Sequence, residues 1–247
     1  MAVMVGVPTL GPPTWALLES MLALRAPDGF HFVRRGPLAV DVARNELVEA
    51  FLRLPDSYTH LLMVDADAMI HPETLQRLLS WEAPVVGALA FTRYGPMYPT
   101  VYRGESDAQP GSFRVRMDEV KEFVEKHREL VSSRPVVLDP RPPDALYEVD
   151  RTGGHCLLIR RDVLQAMEPP WFVAEVMRRN REDFYFCERA QGAGFRVYVD
   201  LSCMAGHLYG DRSLAALDFL VWDASSEYAD QTAGDASAAL SMTISER

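Results

Sequence analysis

His60-Leu61-Leu62-Met63-Val64-Asp65-Ala66-Asp67 is a short apolar run that ends in two carboxylates. A run of that length, closed by turn-forming acids, reads as a buried strand. The two acids then stand at its carboxyl end, where open α/β sheets place their ligands. Residues i and i+2 of an irregular strand end can present their oxygens to one side, within reach of a hard divalent cation that keeps waters and takes diphosphate oxygens. A solvated turn or a helix cap would use the same residues without a ligand.

Strands and helices alternate on both sides of this run. Residues 2–7 form a β-rich stretch closed by Pro8-Thr9-Leu10-Gly11-Pro12-Pro13, and 15–24 have helical spacing of apolar residues. A short strand at 31–33 and an amphipathic helix at 40–54 follow. Pro72 suits a first helical position before 73–79, and 84–91 reads as another buried strand. The alternation predicts an α/β fold with a doubly wound, mostly parallel sheet and helices on both faces.

The rhythm breaks over 103–143 into a polar loop, a charged helix at 117–131 and the Pro-rich run 135–143, which reads as an insertion or flap. A strand at 156–159, a helix at 181–190 stopped by Gly192 and Gly194, and a strand at 195–199 resume the core. The expected organisation is a single domain over 1–222 with 103–143 inserted, and an Ala-, Ser- and Asp-rich tail over 223–247, read as mobile or partner-dependent.

The 247 residues carry a net charge of -10, which argues against a surface that tracks a nucleic-acid backbone. Lys121 and Lys126 are the only lysines, so a bound phosphate would meet arginine or a metal rather than an ammonium group. No apolar stretch is long enough to span a bilayer and no secretory leader is apparent, so a cytoplasmic protein is expected. Cys156, Cys187 and Cys203 lack zinc-ligand spacing and read as reduced, buried thiols.

Two further motifs bear on chemistry. Glu182-Asp183 opens a helix, where carboxylates either cap the first turn or do catalytic work. His207 lies in the Gly-flanked segment Gly206-His207-Leu208-Tyr209-Gly210, read as a turn after a strand. Trp171, beside Pro169 and Pro170, is either a sugar platform or a core residue.

In their order, the first strand with Pro8-Thr9, then Ala43-Arg44-Asn45, Asp65-Ala66-Asp67, Gly153-Gly154-His155, Glu182-Asp183 and His207 resemble the GT-A glycosyltransferases related to family 2, including short bacterial and phage forms. The resemblance spans roughly residues 2–210. It implies Pro8 and Thr9 beside a nucleotide base, Arg44 and Asn45 near the donor, and Asp65 at the ribose or metal. Asp67 and His207 would hold the metal, with Gly153 and Gly154 under the donor sugar or acceptor. Asp183 would be the catalytic base, with Glu182 as its neighbour or substitute. Two features depart from the commoner pattern. Arg181 stands where Gly or Ser usually precedes the acidic pair, and no Gln-x-x-Arg-Trp signature follows, which favours a distributive enzyme.

The implied activity is transfer of a sugar from a UDP- or GDP-linked donor to an acceptor hydroxyl, with Mn²⁺ or Mg²⁺ as cofactor. A divalent cation can neutralise the leaving diphosphate, and a carboxylate can take the acceptor's proton. In-line attack with Asp183 as base would invert the anomeric centre, while a retaining route would dispense with it. The competing reading is a GT-A-fold protein that binds a sugar or nucleotide without turnover.

Overall fold

The computed structural model describes residues 2–26, 28–92, 97–106, 109–174, 181–210 and 212–224. The chain runs β1 (Ala2–Pro8), α1 (Trp15–Ala23), β2 (Phe30–Arg35), α2 (Val40–Leu52), β3 (Tyr58–Val64), β4 (Ala68–Met69), α3 (Thr74–Leu79) and β5 (Val85–Leu89). A hairpin of β6 (Val101–Ser106) and β7 (Gln109–Val115) leads to α4 (Met117–Lys126), β8 (Val136–Val137), β9 (Leu146–Val149) and β10 (Arg151–Thr152). β11 (Cys156–Arg160), α5 (Arg161–Gln165), α6 (Glu182–Gly192), β12 (Val197–Met204), β13 (Gly206–Tyr209) and β14 (Arg212–Leu214) follow. A last helix covers 216–224.

The main sheet has the order β2-β1-β3-β11-β5-β12-β8, with β9 also paired to β12. β1 runs parallel to β2 and β3, and β5 parallel to β12, while β11 runs antiparallel between β3 and β5. Because β11 is reversed, its amino end lies beside the carboxyl ends of β3 and β5. That brings Gly153, Gly154 and His155 to the edge where Asp65 and Asp67 emerge. The pairing of Cys156 with Val64 fixes this register, and the Asp65 N–H donates to the His155 carbonyl at 3.0 Å.

Period-two alternation sends each strand's side chains to both faces. Leu61 and Met63 join one apolar cluster with Leu47, Val48 and Phe51 of α2 and Phe186, Cys187 and Ala190 of α6. Leu62 and Val64 join a second cluster with Leu17 and Met21 of α1 and Leu75 and Leu78 of α3. Helices therefore cover both faces, and the doubly wound, Rossmann-like α/β class expected from the sequence is the observed one. Each fully buried Leu or Val side chain contributes about 1.5–3 kcal/mol of transfer free energy. Among the described residues, no helix is long and apolar enough to cross a membrane.

Several boundaries move, each for a physical reason. The strand expected at 195–199 runs instead over Val197–Met204, because its polar residues are satisfied internally. The Ser202 N–H and hydroxyl donate to Asp200 Oδ1 at 2.9 and 2.6 Å, and Trp81 Nε1–H donates to Asp200 Oδ2 at 2.7 Å. The Gly-flanked turn at His207 is a strand, since Gly206 and His207 pair with Met69 and Ala68, and His207 also pairs with Leu214. Helix 73–79 starts at Thr74, because the Glu73 N–H is taken by His71 Nδ1 at 3.2 Å and Pro72 sits in the preceding turn. The charged helix ends at Lys126 rather than at 131. Of the 223–247 tail, all but residues 223 and 224 lie outside the described residues. Within 103–143, Val120, Phe123 and Val124 of α4 are buried in the first cluster, and β8 pairs with β12.

One arginine closes the carboxyl end of α2. Arg161, at the start of α5, donates from Nε to the Tyr58 carbonyl at 2.7 Å and from Nη2 to the Phe51 and Leu54 carbonyls at 3.1 Å. The last carbonyls of a helix have no intrahelical donor, so this guanidinium supplies what a terminal glycine motif would otherwise provide. Arg161→Met is expected to lower unfolding free energy by about 2–3 kcal/mol, the cost of stranding buried acceptors. Urea denaturation checks this, and an unchanged midpoint would show that water replaces the guanidinium without cost.

Candidate active site

The loops after β1, β2 and β3 enclose a cavity of about 370 Å³. Pro8, Leu10, Pro12, Leu38 and Val40 form its apolar part, and Arg44, Asp65, Asp67, Glu182 and Asp183 its charged part. Two tight approaches shape it. The Thr14 hydroxyl caps α1 by accepting the Leu17 N–H at 3.2 Å and donates to the Ala66 carbonyl at 3.0 Å, which pins the Asp65–Asp67 loop to the helix. Gly36 holds φ +141°, and a Cβ there would lie 1.8 Å from the Thr9 carbonyl oxygen, so only glycine lets the β2–α2 loop close over Thr9.

Arg44 joins the pieces of the charged end. It lies on the buried stripe of α2 with Leu47, Val48 and Phe51, and its side chain is 2% exposed. Nη2 donates to Asp65 Oδ1 at 2.8 Å, Nη1 to the Gly154 carbonyl at 3.2 Å and Nε to Glu182 Oε1 at 3.3 Å. Its Cζ lies 5.8 Å from the centroid of the Phe172 ring. A Cβ on Gly154 would lie 2.6 Å from Arg44 Nη2, so the guanidinium occupies the volume that glycine leaves open.

Around this cation the carboxylates differ sharply. Burial acts to raise the pKa of Asp65, but Arg44 and then His155 outweigh it and hold the group below its ordinary value. Asp183 is 8% exposed, and burial, with Glu182 beside it, pushes its pKa up to about 6 against the opposing pull of Arg44. Its Oδ2 accepts the Gly154 N–H at 3.1 Å and its Oδ1 the Phe184 N–H at 2.8 Å.

Beside the cavity, Asp67, His155 and His207 each offer a ligand atom, and the three atoms lie within 4.8 Å of one another. The hydrogen bonds of the two rings show which nitrogens face inward. His155 Nε2 lies 3.0 Å from the Gly206 carbonyl and His207 Nδ1 lies 3.0 Å from the Phe91 carbonyl. Carbonyls only accept, so both nitrogens carry protons, and His155 Nδ1 and His207 Nε2 are left for the site. His155 Nδ1 is buried without a hydrogen-bond partner, 3.7 Å from Asp65 Oδ2, and His207 Nε2 is 3.5 Å from Asp67 Oδ2. Burial favours a neutral His155, but Asp65 outweighs it and raises the pKa, so Nδ1 is a position for a proton or a cation. An imidazole anchored through its second nitrogen to a backbone carbonyl is the usual outer arrangement of a metal-binding histidine.

The sequence-derived site residues therefore separate. Pro8, Thr9, Arg44, Asp65, Asp67, Glu182 and Asp183 share the cavity, and His207 stands beside Asp67. Gly153 and Gly154 lie under Asp183 and Arg44 rather than in the wall. Asn45 is spent on structure: Nδ2 donates to the Asp41 and Phe172 carbonyls at 2.9 and 2.7 Å, and Oδ1 accepts the Trp171 and Phe172 N–H groups. Asp65 lies outside the group of possible metal ligands, and its Oδ1 accepts from Arg44 Nη2 at 2.8 Å. Trp171 is a core residue, 5% exposed, whose Nε1–H donates to the Leu164 carbonyl at 2.9 Å. The three cysteines are free and buried. The residue of this cluster to which sequence reasoning assigned no role is His155, which stands 52 positions from His207 with no local spacing to mark the pair.

The fold is one already seen. A197 from STIV shares it with a TM-score of 0.55 at 19% identity, over 87% of this chain and 91% of that chain. S. aureus TarS 1-349 gives 0.43 at 13% identity, over 87% and 60% of the two chains. CMP:2-keto-3-deoxy-manno-octonic acid synthetase, complexed with CTP, gives 0.40 at 14%, over 81% and 89%. No protein-family model and no curated protein matches the sequence.

The Asp183 environment has a measurable signature. A carboxyl whose folded pKa lies above its unfolded value contributes stability below the unfolded pKa and loses it as pH rises through the folded one. With the folded value raised to about 6, the ionised side chain opposes folding above that pH. Asp183→Asn should therefore gain on the native protein between about pH 4 and 6 and hold a lead on the order of 1–3 kcal/mol above it. Thermal unfolding across that range checks this, and a constant difference at all pH values would mean that Asp183 is not held in an unfavourable ionised state.

Proposed function

We propose that the chain is a metal-dependent glycosyltransferase that takes a UDP- or GDP-linked sugar as donor and an acceptor hydroxyl as nucleophile. The observation that carries this reading is the placement of the Asp67, His155 and His207 cluster beside a cavity that also holds a buried, raised-pKa carboxyl. The apolar part, with Pro8 and Leu38, suits a base. The charged part is rich in carboxylates, which would repel a diphosphate unless a cation stood between them. Two imidazoles and a carboxylate suit Mn²⁺ better than Mg²⁺, whose preferred ligands are oxygens. When bound, such a cation would act as a Lewis acid toward the leaving diphosphate.

The protein's own groups supply the rest. Asp183, with a pKa near working pH, is suited to take the proton of the acceptor hydroxyl as its oxygen attacks the anomeric carbon. The Gly154 N–H fixes one of its oxygens and so its direction. Glu182 is engaged by Arg44, which leaves Asp183 as the better base of the two. Direct displacement of this kind inverts the anomeric configuration.

The test is transfer and donor hydrolysis with UDP- and GDP-sugars in the presence of Mn²⁺. Asp183→Asn should lower transfer by roughly 10²- to 10⁴-fold with little change in donor affinity, whereas Glu182→Gln should act mainly through stability. A dead Glu182→Gln beside a fully active Asp183→Asn would exchange the two roles. Retention of configuration with both variants active would remove the base from the mechanism.

A further inference from the structure

The His207 ring is aimed from behind. Its Nδ1–H reaches the carbonyl of Phe91, which lies just past β5 and makes an isolated bridge to Pro99. The Phe91 ring stacks on Phe219, with centroids 4.8 Å apart and planes 21° from parallel, and both side chains are fully buried. Phe219 belongs to the helix 216–224, whose start is fixed when the Ala215 N–H donates to Asp218 Oδ2 at 3.1 Å and the Phe219 N–H to the Ala215 carbonyl at 3.1 Å. The strand leading into that helix pairs Leu214 directly with His207. Residues 212–224 thus meet His207 twice, once through the β13–β14 ladder and once through the stacked rings and the Phe91 carbonyl.

We propose that Phe219 is a positioning residue of the metal centre: its stack on Phe91 holds the carbonyl that accepts the His207 Nδ1–H, and so keeps Nε2 turned toward Asp67. The inference rests on the metal reading given above for Asp67, His155 and His207. The physical link is that the hydrogen-bond partner of a ligating imidazole's second nitrogen fixes both its tautomer and its orientation. The backbone on either side of Phe91 is held by the Thr92 N–H on the Tyr98 carbonyl and the Thr100 N–H on the Ala90 carbonyl, both at 2.9 Å, and the ring stack fixes the Phe91 side chain against the helix 216–224, so together they set where the Phe91 carbonyl points. An ordinary core phenylalanine would affect stability alone, whereas a positioning residue affects metal affinity beyond its effect on stability.

The experiment titrates Mn²⁺ alone into the full chain by calorimetry, comparing the native protein, Phe219→Ala and Leu220→Ala. Leu220 is a buried neighbour in the same helix, and its truncation measures how far affinity falls from loss of core alone. Phe219→Ala should weaken Mn²⁺ binding by about tenfold, while Leu220→Ala should leave it within about threefold, despite a comparable fall in Tm. Equal losses in the two variants, or no loss in Phe219→Ala, overturn the proposal. If Phe219→Ala does not fold, Phe219→Leu takes its place, with the same expectation in reduced degree.

A second measurement keeps this inference separate from the metal reading on which it rests. In metal-free protein, ¹⁵N shifts of the His207 ring should report the Nδ1–H tautomer in the native chain and a mixture in Phe219→Ala. If the native chain binds no Mn²⁺, the metal reading falls, and the tautomer result still decides whether Phe219 positions His207. An unchanged tautomer in the variant overturns the positioning role.

Discussion

The buried guanidinium of Arg44 is the constraint on which the site depends. It takes a full positive charge into the interior of α2's packing face, where desolvation alone would cost several kcal/mol. Burial acts to lower its pKa, but Asp65, Glu182 and Asp183 outweigh that and hold it above its ordinary value. Its partners come from three places far apart in sequence: the end of β3, the loop before β11 and the first turn of α6. The charge is tolerable only if all three are in place, so the cation couples the folding of these elements to one another. Glycine at 154 is part of the same requirement, because any side chain would enter the guanidinium's volume.

This one cation also sorts the acids. Asp65 and Glu182 are paired with it. Asp67 faces the two histidines, outside that arrangement. Asp183 lies in the same buried region, accepting the Gly154 and Phe184 N–H groups, and burial with Glu182 beside it outweighs the pull of Arg44, so the cost of its ionisation is expressed as a raised pKa. Four carboxylates in one cavity thereby come to lie in three different electrostatic settings, the condition under which neighbouring groups of the same type are driven apart in their ionisation.

Much of this was legible in the sequence, and the failures have identifiable causes. Strands whose two faces both enter the core, such as Leu61–Val64, announce themselves by continuous hydrophobicity. The second half of Val197–Met204 did not, because Asp200 and Ser202 satisfy each other inside the sheet and interrupt the apolar signal. The resemblance alone singles out Arg44, as a residue near the donor, and its partners lie 21, 110 and 138 positions away, beyond any local spacing. The resemblance implies Asn45 near the donor, whereas its amide is engaged by the Asp41 and Phe172 carbonyls and the Trp171 and Phe172 N–H groups, contacts that no local spacing marks. His155 was hidden for a topological reason. Only the reversal of β11 brings the residue before it next to a strand end that precedes it by 90 positions.

The central claim is that Asp67, His155 and His207 hold one divalent cation at the edge of a nucleoside-diphosphate cavity. The most direct measurement is anomalous diffraction from crystals of the full chain soaked with Mn²⁺ and UDP or GDP. The account predicts a single manganese peak bonded to one oxygen of Asp67, to His155 Nδ1 and to His207 Nε2, with diphosphate oxygens completing its shell and Arg44 still bound to Asp65. A peak on Asp65 with the Arg44 contact broken, or nucleotide in the cavity with no manganese at the histidines, would contradict it.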